Sequence, residues 1–489
     1  EPYTEVREYD FSSYYPVENY IKKQAIPEKN IYNIMDYGAA TDKADNAPFI
    51  HAAIKDAEKT GGTVLITGGE YVTTTIILKS GVTLFIADGS SIISNKTGRG
   101  YEKYKAIVYA KDCSNITITG GGKICGNGHL FGRKPAADGN NTKPADYIDV
   151  IEMRRDYRSQ LRFAHESKYG GPVTFTECSN INIKNIIIEN SAYWTFKLSN
   201  CNRVNISDFV IHNNRNVANA DGIDLAGSSN ISINHCFIST ADDGIVIKNA
   251  IWLGNTSAMN SITITDCEII SRTNAIKVGT ETTYDINSIH ISNCRLFMTD
   301  LYPGSVSGIS LEACDGTKLS DVDIKNIIMN RCTCPVFIRL GNRNRAAEVN
   351  TQSANAIEFG AKAQKGGETD KKRFDGASEI KNIHISDIKA DGVELPIIIA
   401  GYKQKGKTKR VKNVTLENIV LNYADIPETV DRRLFIPEYV KVYPECWRFR
   451  NLPSYALWIR HAENITIKNF TCNHPLPTWK KEIIKIDCI

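Results

Sequence analysis

SNISINHC, residues Ser229–Cys236, is a polar pair followed by apolar residues at alternate positions. The same phrase returns as SNITI (Ser114–Ile118), SNINIKNI (Ser179–Ile186), NRVNISDF (Asn202–Phe209), NSITITDC (Asn260–Cys267) and NSIHISNC (Asn287–Cys294). Later versions are SDVDIKNI (Ser320–Ile327), KNIHISDI (Lys381–Ile388), KNVTLENI (Lys412–Ile419) and ENITIKNF (Glu463–Phe470). The first apolar residues Ile181, Val204, Ile231, Ile262, Ile289 and Val322 lie 23, 27, 31, 27 and 33 positions apart. Alternation with period two means strands, and recurrence at this interval means that each unit buries its inner face against its neighbours. The fold expected is all-β: a right-handed parallel β-helix. A propeller or a sandwich also repeats strands, but neither accounts for the column five residues after each anchor. That column reads Ile186, Phe209, Cys236, Cys267, Cys294, Ile327, Ile388, Ile419 and Phe470. It is an inward stack in which free cysteine acts as a small hydrophobe, a better reading than disulfides.

The stretch NAPFIHAAIKDAEKTGG departs from this period, with Phe49, Ile50, Ala53, Ile54 and Ala57 at helical spacing and glycines to stop it. It is expected to form a capping helix over the open N-terminal end of the solenoid. Residues 1–30 are read as an N-terminal extension and 31–489 as a single domain, with loop insertions near 344–377 and 424–455 that serve as cleft walls. The chain has 489 residues, 42% hydrophobic and 23% charged, with a formal net charge of +4. That balance carries no field for nucleic acid, and no uncharged apolar run is long enough for a membrane span. The opening EPYTEV reads as a mature or trimmed start.

A second strand family lies between the anchors: WTFKLSN at Trp194, DGIDLAG at Asp221, DGIVIKN at Asp243, NAIKVGT at Asn274 and SGISLEA at Ser307. If Phe196 and Leu198, and their equivalents in each coil, point inward, then Lys197, Asp224, Val246, Lys277 and Ser310 form an exposed row. Ala226, Lys248, Gly279 and Glu312 form the next. Asp221 and Asp243 then start adjacent coils, with Asp242 beside them. Strands about 4.8 Å apart place these three carboxylates in one patch. Like charges so crowded push at least one pKa up, which lets one acid stay protonated while a neighbour stays ionised. Paired carboxylates across a glycosidic bond perform sugar hydrolysis. Calcium would suit the same oxygens, and Asp also ends strands in turns, which is an equal reading for Asp224 and Asp266. No histidine spacing suggests a metal site, and no cofactor is expected.

These residues, together with YNIMDYGAATDKADNAPFIHAAIKDAEKTGGTVLI and GPVTFTECSNINIKNIIIENSAYWTFKLSNC, resemble the pectin-degrading polygalacturonases of glycoside hydrolase family 28. The resemblance implies inverting hydrolysis, with Asp242 as general acid and Asp221 and Asp243 activating water. It fails at two places. The family's Gly-His-Gly falls on Thr273, Asn274 and Ala275, and its Arg-Ile-Lys falls on Ser310, Leu311 and Glu312. Glu312 is expected to repel a uronate in the subsite it lines, with Asn219, Asp224, Lys248, Asn274, Lys277, Glu281 and Arg339 as further substrate contacts. Arg343, Arg460 and His461 are weaker candidates. The expected function is cleavage of a galacturonate-containing pectic polysaccharide by a secreted or periplasmic monomer, with an exo preference. The alternatives are rhamnogalacturonan or terminal rhamnose or galactose linkages, a β-helix lyase, and a carbohydrate-binding protein without turnover.

Overall fold

The computed structural model describes residues 15–489 apart from 129–131, 134–163, 166–170, 215–216, 218, 298–304, 346–371, 425–434, 450–451, 475–477 and 479. The repeats form strands that pair in parallel, coil on coil, into one sheet system of 28 strands. This is the right-handed parallel β-helix expected. The anchor column runs in register from Ile116 through Ile181, Val204, Ile231, Ile262, Ile289, Val322, Ile383 and Val414 to Ile465. The second family aligns as well: Phe196, Ile223, Ile245, Ile276, Ile309 and Val336 stack, as do Leu198, Leu225, Ile247, Val278, Leu311 and Ile338. All twelve side chains are fully buried. Each contributes roughly 1.5–3 kcal/mol by leaving water, so a one-residue slip of any coil is prohibitive. At the coil corners Asn180, Asn230, Asp266, Ser288 and Asn293 adopt φ near +55°. Short polar side chains tolerate that left-handed turn.

The cysteines behave as the column suggests. Cys236, Cys267 and Cys294 are buried and free, and neighbouring sulfurs push the Cys267 and Cys294 thiols upward, so they stay neutral. A second cysteine column, Cys113, Cys178 and Cys201, passed unnoticed in the sequence.

The cap is a helix at Ala47–Thr60, with Pro48 in its first turn and Gly61 closing it at φ +63°. Its Ile50, Ala53, Ile54 and Ala57 join the same core as the first coils. Asp45 ties the helix start down, its Oδ1 accepting from the backbone N–H of Ala47 at 3.0 Å and of Thr74 at 2.8 Å. The described part of the extension packs Tyr15, Val17, Tyr20 and Ile21 against Ile187, Val210, Phe237 and Ile270 on the outer wall. Most of the insertion placed at 344–377 lies outside the described residues; of the one placed at 424–455, residues 424, 435–449 and 452–455 are described.

All 13 cysteines are free. Protein denatured without reductant should therefore react 13 thiols with a chromogenic disulfide reagent, most of them inert in the native state; a lower count in denaturant would reveal bridges and break the packing account.

Candidate active site

Lys197, Asp224, Val246, Lys277 and Ser310 stand opposite one another on successive coils, as their spacing requires. They point away from the lumen but are not exposed. Lys197 retains 5% of its surface, Lys277 1% and Asp224 none. The reason is a roof. The same row continues as Phe337, Ile398 and Trp458, an apolar strip on which Cys446, Phe449 and Leu452 of the late insertion pack. That docking brings Tyr443 and Glu445 over Lys277, whose Nζ donates to Tyr443 Oη at 3.2 Å and lies 3.5 Å from Glu445 Oε1. On the other side Trp194 lies beneath Lys248, with Nζ 3.6 Å from the ring centroid, and stacks on Tyr193. A desolvated ammonium gains about 2 kcal/mol from such a face.

Asp221, Asp242 and Asp243 meet as expected: one oxygen from each lies within 4.8 Å of the others. Their surroundings differ. Asp243 Oδ1 accepts from Thr273 Oγ1 at 2.8 Å and Asn274 Nδ2 at 2.8 Å, and Oδ2 faces Lys277 Nζ at 3.5 Å. Burial raises its pKa, but Lys277, Asn274, Lys248 and Thr273 outweigh that and the net shift is downward. Among the described residues, Asp221 has no such escort. Burial, then Asp224 and Asp242, raise it well above the carboxylate range against the pull of Lys248 at 3.9 Å. Two carboxyls of one cluster thus meet opposite environments, one favouring the neutral and the other the charged form. Asp242 is half-buried, and its Oδ1 lies 3.0 Å from the same Thr273 Oγ1.

Lys248 answers Asp224 at 3.2 Å and Glu281 at 3.9 Å as well as Asp221. Its contact with Asp224 is an ion pair rather than an aligned hydrogen bond, since among the described residues both Asp224 oxygens lack a donor in good geometry. Burial therefore lifts Asp224 to about 7. The three clustered aspartates offer the oxygens a hard cation prefers, yet two ammoniums already hold places within 3.9 Å of them.

Three sequence expectations are corrected. Glu312 lines no open subsite: it is fully buried, accepts from Ser310 Oγ at 2.7 Å and Thr280 Oγ1 at 2.5 Å, and lies 3.8 Å from Lys277. Burial pushes its pKa to about 8. A register shift between Ile247 and Asn249 creates this arrangement, because Gly279, Thr280 and Glu281 bulge out opposite Lys248. Gly279 sits at φ +121°, and a Cβ there would lie 2.8 Å from Glu312 Cβ. Arg339 spends its guanidinium on the carbonyls of Gly401 and Glu438 and holds the roof loop in place. Asp224 is sealed beneath Lys248. Of the remaining candidates, Asn219 is an exposed turn residue at φ +55°, and Asp266 is a corner residue accepting from Asn234 at 3.0 Å. Arg343 pairs with buried Asp315, while Arg460 and His461 bind Ile436, Pro437 and Glu438 of the roof loop. Tyr443 and Glu445 were missed as site residues; the aromatic stretch around them was the only signal, and it gave no position.

The family model for glycosyl hydrolases family 28 matches residues 63–360. Polygalacturonase QRT2 of Arabidopsis thaliana is 23% identical over 63% of this chain and 64% of its own length. An exo-poly-alpha-D-galacturonosidase of Dickeya chrysanthemi is 26% identical over 45% of this chain and 42% of its own. The chain thus spans less than two thirds of either relative. In structure, an exopolygalacturonase from Thermotoga maritima superposes with a TM-score of 0.62 at 18% identity, covering 92% of this chain and 94% of the other.

Replacing Lys248 by Met should cost about 3–5 kcal/mol in urea unfolding, because it strands buried carboxylates, and adding Asp224→Asn should restore much of it; an unchanged midpoint in the single variant would refute the pairing. The raised Glu312 binds its proton more tightly folded than unfolded, so its burial penalty is absent below the ordinary value of 4.5 and full above about 8. Glu312→Gln should therefore gain stability relative to wild type as pH rises across that window, which paired denaturation curves at its two ends would show.

Proposed function

The chain belongs to glycosyl hydrolases family 28, and from this premise we propose that it hydrolyses glycosidic bonds in a galacturonate-containing pectic polysaccharide. The observation that carries the proposal is the convergence of Asp221, Asp242 and Asp243 with their environments split. In this reading Asp242, the most open of the three, donates its proton to the glycosidic oxygen as the bond to the anomeric carbon breaks. Asp243, held ionised by Lys277 and Asn274, takes a proton from the attacking water, and Asp221 helps to hold that water. Glu312 does not oppose a uronate, since it is sealed from solvent and burial, which pushes its pKa to about 8, favours its neutral form. Arg345 is exposed beside Glu281 and Trp252 and supplies a cation for an acidic sugar.

We further propose exo action. The roof loop covers the outward row beyond Ser310, and two of the similar proteins are named for exo cleavage. A polymeric pectic substrate is met outside the cytoplasm, which supports a secreted or periplasmic enzyme; a monomer suffices because all three aspartates come from one chain. For stereochemistry we propose inversion, supported by a third carboxylate that lets Asp221 and Asp243 share one water. Retention through a covalent intermediate is the second reading, favoured by oxygens within 4.8 Å, because inverting pairs usually stand about 6.5–9.5 Å apart and retaining pairs about 5–5.5 Å.

Incubation with polygalacturonate and short oligogalacturonates, followed by chromatography and proton NMR of the first product, tests all of this. Release of galacturonate with inverted anomeric configuration is expected, and Asp242→Asn should lower kcat by about 100-fold or more. Full activity in that variant would remove Asp242 as the acid; inertness toward every galacturonate-containing substrate would remove the function.

A further inference from the structure

Thr273 stands where the resemblance places the first glycine of a Gly-His-Gly motif, and its hydroxyl touches both members of the Asp-Asp doublet. Oγ1 lies 3.0 Å from Asp242 Oδ1 and 2.8 Å from Asp243 Oδ1. A hydroxyl has one hydrogen to give and two lone pairs to receive. If both carboxylates were ionised, the hydrogen would serve one of them and a lone pair would face the other anion. Both contacts are favourable only when one carboxyl carries a proton and donates it to Oγ1.

The structure shows which carboxyl that is. Asp243 Oδ1 already accepts from Asn274 Nδ2 at 2.8 Å and from the Asn274 backbone N–H at 3.3 Å, and its other oxygen faces the Lys277 ammonium. The Asn274 amide presents Nδ2 here because the reverse would set its oxygen against Asp243 Oδ1, and Ser307 Oγ lies 2.6 Å from its Oδ1. A carboxyl so ringed by donors is ionised. Among the described residues, Asp242 Oδ1 accepts only the Asp243 backbone N–H, at 3.1 Å, beside its contact with Thr273, so the geometry leaves the proton of this pair to Asp242. Thr273 is itself fixed: its N–H donates to Ser271 Oγ at 3.0 Å, Ser271 Oγ donates to the Asp242 carbonyl at 2.8 Å, and the Thr273 carbonyl accepts from the Val306 N–H at 2.7 Å.

Resting on the hydrolytic reading above, we propose that Thr273 is a positioning residue that keeps Asp242 the proton-bearing member of the doublet, through a chain Asp242 Oδ1–H to Thr273 Oγ1–H to Asp243 Oδ1. Among the described residues, the charged groups around Asp242 include Asp221 and Asp243 within the cluster and Glu445 from the roof loop, with Lys277 and Lys248 behind them. The acids alone would leave the proton shared among several sites; the directional hydroxyl selects one. The hydroxyl never leaves Thr273. When Asp242 gives its proton to the leaving oxygen, the hydroxyl hydrogen stays on Oγ1 and continues to serve Asp243.

Thr273→Val removes the hydroxyl at nearly constant volume. Asp242 then loses the acceptor that favours its neutral form, and Asp243 loses a donor that favours its charged form. On an oligogalacturonate, the alkaline limb of the pH profile of kcat/KM should move to lower pH and the acidic limb to higher pH, with kcat at the optimum down on the order of 10-fold or more and KM little changed. Thr273→Ser, which keeps the hydroxyl, should restore the wild-type profile. A merely structural role would lower activity at every pH without moving the limbs, and that result, or failure of serine to rescue, overturns the proposal. Carbon-13 NMR of the aspartate carboxyls in the unaltered protein tests it without a variant or a substrate: at neutral pH Asp242 should carry the shift of a protonated carboxyl and Asp243 that of a carboxylate, and the reverse order overturns it. If wild type cleaves no galacturonate-containing oligosaccharide, the hydrolytic reading fails, while the NMR order still decides the role of Thr273.

Discussion

Everything in this molecule depends on parallel coils stacking in register at about 4.8 Å. Inside, that constraint builds columns of isoleucine, leucine, phenylalanine and cysteine from one end of the chain to the other. Outside, it brings side chains from different coils together without regard to their charge. Asp221 and Asp243 cannot move apart, because doing so would slide Ile223 past Ile245 and pull buried apolar residues out of their columns. The core thus supplies the force that holds like charges together, and the site inherits its geometry from packing rather than from its own electrostatics.

Crowding of this kind is tolerable only if countercharges are crowded in as well. Lys248 and Lys277 do this from the same rows, each facing three carboxylates within 3.9 Å. Burying such ions costs several kcal/mol apiece unless they are paired, which is why each lysine also rests on an aromatic ring, Trp194 or Tyr443. The pairing is uneven, and the unevenness matters. Lys277 and Asn274 hold Asp243 ionised, while Asp221 keeps company with Asp224 and is driven toward the neutral form. A symmetric arrangement would give neither carboxyl a distinct role.

The roof loop completes the arrangement. It docks because the outward row turns apolar after Ser310, at Phe337, Ile398 and Trp458, and Phe449 covers that strip. Arg339 and Arg460, which on sequence grounds might have met substrate, instead grip carbonyls of the loop. Their charges are used to set Tyr443 and Glu445 above Lys277, so residues far from the aspartates in sequence shape the cleft.

The coil period, the cap helix, the cysteine column, the outward row and the meeting of three aspartates were all legible in the sequence. Each follows from local alternation plus contact between neighbouring coils, and counting residues is enough to place it. Burial and charge pairing were not legible. Glu312 reads as an open anion until the bulge at Gly279–Glu281 brings Thr280 onto it, and Thr273 reads as the loss of a motif until its hydroxyl is seen between two carboxylates. The tertiary structure alone decided these matters, because the state of a buried charge depends on every group within a few ångströms, and those groups come from loops whose docking no repeat determines.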